Sequence, residues 1–148
     1  MTLRDYRPSD FRRLCQIDRQ CFEPGVAYSA ADLRSIVHAA GAVTIVAENS
    51  RGQIVAFAVA QNEGRSRGRI VTLDVLAGYR GRGVGRRLML HCEQRLREAG
   101  VRAARLETAV GNRKAQALYH SLGYTCIKRL GRYYATGEDA WVMEKRLV

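Results

Sequence analysis

The run Tyr79-Arg80-Gly81-Arg82-Gly83-Val84-Gly85-Arg86-Arg87 sets glycines at alternate positions among arginines. That mixture suits an anion. Glycine lets backbone N–H groups approach a phosphate closely, and a helix beginning there adds the positive end of its dipole. Two nucleotide signatures do not fit. A Walker loop needs Gly-Lys-Ser/Thr, which the chain lacks. A dinucleotide fingerprint needs G-x-G-x-x-G; its last position is Arg86 counted from Gly81, and Leu88 counted from Gly83. What stands is R-x-x-G-x-G, as Arg80-x-x-Gly83-x-Gly85. A plain tight turn would also use these glycines. The surrounding arginines favour the anion.

The elements that hold this turn follow from patterning. A β-branched strand over 69–76 leads into it, and Val84, Leu88, Cys92, Leu96 and Ala99 line one face of the helix that leaves it, closed by Gly100. Upstream, 2–7 reads as a strand. Pro8-Ser9-Asp10 starts a helix carrying Phe11, Leu14, Ile17, Asp18 and Cys21. Residues 22–28 form a loop with two aromatics, Phe22 and Tyr28. Ser29 and Asp32 open a second helix to about Ala40. Strands over 42–48 and 53–61 make a hairpin around Asn49-Ser50-Arg51-Gly52, and 63–68 reads as a polar loop. Downstream come a strand at 102–110, a short helix capped by Asn112, and strands at 124–130 and 140–147. This order predicts a mixed α/β sheet with helices on its faces.

Bulk properties narrow the partners. A length of 148 residues predicts a single domain, 1–148, with room for a real core. No window reaches the ~20 apolar residues of a membrane span. Met1 to Tyr6 has no apolar signal region, so cytoplasm is the expected location. Cys15, Cys21, Cys92 and Cys126 lack metal or redox spacing, and Cys15 and Cys92 sit in apolar helix patterns as small hydrophobes. The net charge is +11, and all of the 25 basic residues but Lys114, Lys128 and Lys145 are arginine. Nucleic acid, a ribosomal surface and a polyphosphate cofactor all match that charge. No RNA-binding aromatic motif or helix-turn-helix pattern accompanies it, which disfavours direct nucleic-acid binding.

With Leu73-Asp74-Val75 before the turn, Leu106-Glu107 on the next strand, and Asn112-x-x-Ala115-x-x-Leu118-Tyr119-x-x-Leu122-Gly123-Tyr124 beyond, the chain resembles the GNAT acetyltransferases. Tyr133-Tyr134, Gly137-Glu138-Asp139-Ala140 and Met143 extend the resemblance to the branch that acetylates protein N-termini, typified by the ribosomal-protein-alanine N-acetyltransferases. It is firm from about residue 54 onward; before that only the element order agrees. It implies a mostly antiparallel, twisted sheet of about seven strands with helices on both faces.

It also implies acetyl-CoA as co-substrate and no metal. Arg80, Gly81, Arg82, Gly83, Val84, Gly85 and Arg86 would bind the pyrophosphate, the backbone of Leu73, Asp74 and Val75 the pantetheine and acetyl oxygen, and Asn112 the thiol end. Glu107 would be the general base, and Tyr119 the acid that protonates the leaving thiolate. Phe22, Tyr28, Tyr133 and Tyr134 would wall the acceptor entrance. The acceptor would be a protein or peptide N-terminal amine, ribosomal proteins among the candidates. A free α-amine suits the chemistry, because its pKa of ~8 demands less of a base than the ~10.4 of lysine. Two stretches depart from the branch: the 22–28 loop lacks its Pro-Trp-type sequence, and Thr108 to Gly111 lacks an arginine often found there. Both concern the acceptor. A lysine or small-molecule amine, and a basic RNA-binding module without catalysis, remain the alternatives.

Overall fold

The computed structural model describes residues 1–148. Its strands are β1 (Thr2–Asp5), β2 (Ala42–Glu48), β3 (Ile54–Gly64), β4 (Arg67–Val75), β5 (Ala103–Ala109), β6 (Thr125–Leu130) and β7 (Ala140–Arg146). Its helices are α1 (Phe11–Cys21), α2 (Ala30–Val37), α3 (Val84–Glu98) and α4 (Arg113–Ser121). The strands form one sheet in the order β1-β2-β3-β4-β5-β7-β6. Every neighbouring pair is antiparallel except β4 and β5, which α3 connects. This is the mostly antiparallel, seven-stranded α/β sheet the sequence implies. No helix is long and apolar enough to cross a membrane.

Each face of the sheet carries its own core. On one, Phe11, Leu14 and Ile17 of α1 and Leu33 and Val37 of α2 pack on Val46, Phe57 and Val59. On the other, Leu88, Met89, Cys92 and Leu96 of α3 meet Ile45, Ala58, Leu106, Tyr124 and Met143. The apolar periodicity of α1 and α3 is thus spent on opposite sides of one sheet. Ser29 caps α2 as its spacing predicts, its Oγ accepting the Asp32 N–H at 3.1 Å.

Two local features differ from the sequence expectation. Residues 63–68 are not a loop: β3 runs to Gly64, β4 starts at Arg67, and only Arg65 and Ser66 turn between them. Both are left-handed, with φ of 56° and 64°. This is the geometry of a two-residue turn matched to strand twist, made without the usual Asn-Gly. The pairing of long strands outweighs the ~1–2 kcal/mol penalty at each residue. The second feature is a bulge in β4. Val59 pairs with Thr72 but Ala60 with Ile70, which leaves Val71 extra. Val71 packs with α1 and α2, while Leu73 and Val75 pack on the α3 side.

Candidate active site

The parallel strands β4 and β5 pair only at Arg67–Ala103, Gly68–Ala104 and Arg69–Arg105. Beyond these residues the strands carry no mutual ladder, and a cleft of about 900 Å³ occupies the space. Leu73 and Val75 line one wall, Leu106 to Ala109 the other. The start of α3 closes one end, and α4 lies alongside with Asn112, Ala115, Leu118 and Tyr119.

The glycine-arginine turn forms one mouth. Gly81 and Gly83 have φ of 75° and 79°, conformations that side chains resist. Gly85 lies against the cleft wall instead: a Cβ there would meet Leu118 at 3.4 Å and Leu73 at 3.5 Å, ordinary contact distances. The N–H groups of Gly81, Arg82, Gly83, Val84, Gly85 and Arg86 find no acceptor in the chain. A row of free donors at the start of a fifteen-residue helix fits a diphosphate. Arg86 lines the cleft and its Nη1 donates to Ser121 Oγ at 3.3 Å. Arg80 also lines it, with Nε donating to the Val75 carbonyl at 2.8 Å. Arg82 turns outward, its guanidinium 5.5 Å from the Tyr79 ring centre.

Tyr119 lies further in. Its ring packs edge-on to Tyr124 at 6.1 Å, on the apolar side of α4. Tyr119 lines the cleft. Burial, aided by the negative field of Asp74, raises the phenol pKa above its ordinary value, so the proton is retained and available to donate. Asn112 caps α4, accepting the Ala115 N–H at 3.2 Å, and lines the cleft as well.

Glu107 faces the opposite mouth, its side chain only 13% exposed. It forms an ion pair with Arg69 and accepts the Tyr133 hydroxyl at 3.2 Å. Arg69 Nη2 in turn donates to that hydroxyl oxygen at 3.1 Å. Tyr28 borders this group; burial pushes its phenol up to about 12, and its electrostatic neighbours are Arg69, Tyr133 and Glu107. Tyr133 and Tyr134 meet edge to face at 4.9 Å. The loop carrying them is tied to the cleft by Glu138, whose Oε2 accepts the Gly111 N–H at 2.9 Å.

One cleft therefore gathers Glu107, Tyr119, Asn112, the turn, Phe22, Tyr28 and Tyr134. Three expected residues stand apart from its lining: Asp74 directs its side chain to α1, Arg82 faces Tyr79, and Tyr133 reaches the cleft only through Glu107. Two cations at the site escaped the sequence reading. Arg69 stands at the head of an apolar strand run, a visible signal, but it lies outside the cleft lining and its partner Glu107 is on another strand. Lys114 brings a cation to the cleft from the first turn of α4.

The sequence matches the family model described as "Acetyltransferase (GNAT) family" over residues 11–124, and the chain belongs to that family. Among relatives, it is 32% identical to N-alpha-acetyltransferase 30 of Schizosaccharomyces pombe over 145 residues, covering 95% of each chain. It is 41% identical to N-alpha-acetyltransferase MAK3 of Arabidopsis thaliana over 75 residues, 51% of this chain but only 40% of that longer protein. Among solved structures, the ribosomal-protein alanine N-acetyltransferase of Escherichia coli superposes with a TM-score of 0.88 at 25% identity, over 99% of this chain and 93% of the other.

Proposed function

We propose that this protein moves the acetyl group of acetyl-CoA onto a protein or peptide N-terminal α-amine, by direct attack of the amine on the thioester. One observation carries the reading: a row of unbonded N–H groups and a proton-bearing phenol share a single cleft whose other mouth holds a carboxylate and three tyrosines. The relatives' names point to the same acceptor class.

The co-substrate supplies an activated acyl group with a thiolate leaving group. The turn from Gly81 to Arg86 would hold its pyrophosphate, with Lys114 adding charge, and the unladdered edge of β4 at Leu73 to Val75 would receive the pantetheine amides. Asn112 would steady the thiol end. Glu107 accepts the proton that the amine must lose, oriented by Arg69 and Tyr133. Tyr119 donates its phenolic proton to the departing sulfur. Phe22, Tyr28, Tyr133 and Tyr134 border the acceptor entrance.

Calorimetric titration with acetyl-CoA, followed by mass spectrometry of peptides with varied N-termini, tests this directly. Heat of binding together with α-amine acetylation is the expected result. Absence of acetyl-CoA binding refutes the enzyme reading, and transfer to lysine or polyamines alone refutes the acceptor.

A further inference from the structure

Asp18 of α1 and Asp74 of β4 are both completely buried. Each has one oxygen engaged: Asp18 Oδ2 accepts the Tyr28 N–H at 2.7 Å, and Asp74 Oδ1 accepts the Thr72 hydroxyl at 2.6 Å. The other oxygens, Asp18 Oδ1 and Asp74 Oδ2, receive no donor from the chain. Yet the two carboxyls face each other where α1 packs on β4: Cys21, one turn beyond Asp18, bonds the carbonyl of Val75, the residue after Asp74. Neither has an ion-pair partner, and Arg80 donates its Nε to Val75 instead. Two buried carboxylates in contact repel each other, whereas one proton between them satisfies both orphan oxygens.

We propose that Asp18 and Asp74 share a single proton, and that this bond ties the 22–28 loop to β4, making both acids positioning residues for the amine acceptor. The inference rests on reading Tyr28 as part of the acceptor entrance. The connection runs from β4 through Asp74 to Asp18, from Asp18 to the Tyr28 N–H, and from Tyr28 to the group around Arg69 and Glu107. The Cys21 thiol adds a second tie, to the Val75 carbonyl at 3.4 Å. Burial raises the Asp74 carboxyl well above the ordinary range, with Asp18 as the next cause, so Asp74 is the member of the pair that holds the proton.

The other groups facing the pair are Cys15 and Cys21 from α1, Tyr28 from the loop, Arg80 after β4, and Tyr119 from α4. Burial holds the Cys21 thiol at about 11 and the Tyr28 phenol at about 12, and raises Cys15 and Tyr119 too. Their raised values keep the thiols and phenols protonated at neutral pH, so none of them adds a charge beside the pair there. Loss of the shared proton sets two negative charges in contact, Asp18 withdraws, and the Tyr28 amide loses its anchor.

Amide hydrogen exchange at Tyr28, corrected for base catalysis and followed from pH 6 to 9.5, tests the tie without any substrate. The wild-type protection factor is expected to fall at least tenfold across this range. In Asp74→Asn the amide N–H donates permanently to Asp18, and protection stays flat. The KM for an acceptor peptide should follow: rising with pH in the wild type, level in Asp74→Asn. Asp18→Asn gives the same comparison should Asp74→Asn not fold, since its carbonyl can accept from Tyr28 while its N–H donates to Asp74. Flat wild-type protection, or a variant that tracks the wild-type curve, overturns the proposal. Because exchange needs no turnover, a protein that shows the Tyr28 response but no acetyl transfer supports the tie and refutes the function; transfer without the response does the reverse.

Discussion

Two buried groups matter at the residue scale through the protons assigned to them, Tyr119 for the proposed chemistry and Asp74 for stability. In the proposed mechanism Tyr119 delivers its proton to the departing thiolate. Tyr119→Phe keeps the ring packing on Tyr124 and removes only the donor. The expected outcome is a kcat lower by roughly one to three orders of magnitude in a folded protein; an unchanged kcat removes Tyr119 from the mechanism. The second proton bears on stability. A folded-state pKa raised above the unfolded value near 3.8 means that Asp74's contribution is fully present below that value and is lost as pH rises toward the folded pKa. Asp74→Asn removes that loss. Thermal melts should show the variant gaining on the wild type from pH 4 to 7, by about 3 °C for each kcal/mol relieved. The type of Asp74 was visible in the sequence, but its direction was not. The Val71 bulge turns Thr72 and Asp74 toward α1, and pairing register across two strands decides that, not local pattern.

At the scale of elements, the legible parts were those with local causes. Ser29 begins α2, the apolar stripe of α3 is long, and Gly81 and Gly83 mark a turn that needs positive φ. The Arg65-Ser66 turn was illegible because neither residue favours its own conformation; the strands on either side impose it. The Arg69–Glu107 pair was illegible because it joins distant segments. The Gly83 conformation yields a direct test. A β-branched side chain at φ 79° strains the turn that presents the free N–H groups. Gly83→Val should raise the KM for acetyl-CoA at least ~10-fold, a loss of ~1.4 kcal/mol or more in donor binding. Steady-state kinetics against each substrate separates this from any acceptor effect, which should be smaller.

Across the whole molecule the charge of +11 acts through distance. Arg80, Arg86 and Lys114 line the cleft itself, while the rest of the basic surface adds a long-range field that a polyanionic donor meets first. Salt shortens the reach of that field, to ~10 Å at 0.1 M. Raising salt from about 0.05 to 0.5 M should therefore increase the KM for acetyl-CoA roughly three- to tenfold, with a much smaller change in melting temperature. Equal KM values at both salts would assign binding to the free N–H groups and contacts inside the cleft alone.

The short ladder between β4 and β5 works as a fulcrum. It ends at Arg69 and Arg105, and Gly68 sits within it, where an added Cβ would meet Val101 at 3.0 Å and Leu96 at 3.1 Å. Leu73 lies some 13 Å further along the strand at ~3.3 Å per residue, so a small tilt at the ladder becomes a larger sweep at the walls. Gly68→Ala wedges the short arm of that lever. Its effect should appear as a shifted gap between Leu73 and Leu106 in a crystal structure, and as a weaker fit for acetyl-CoA, from a methyl group placed well away from any reacting atom.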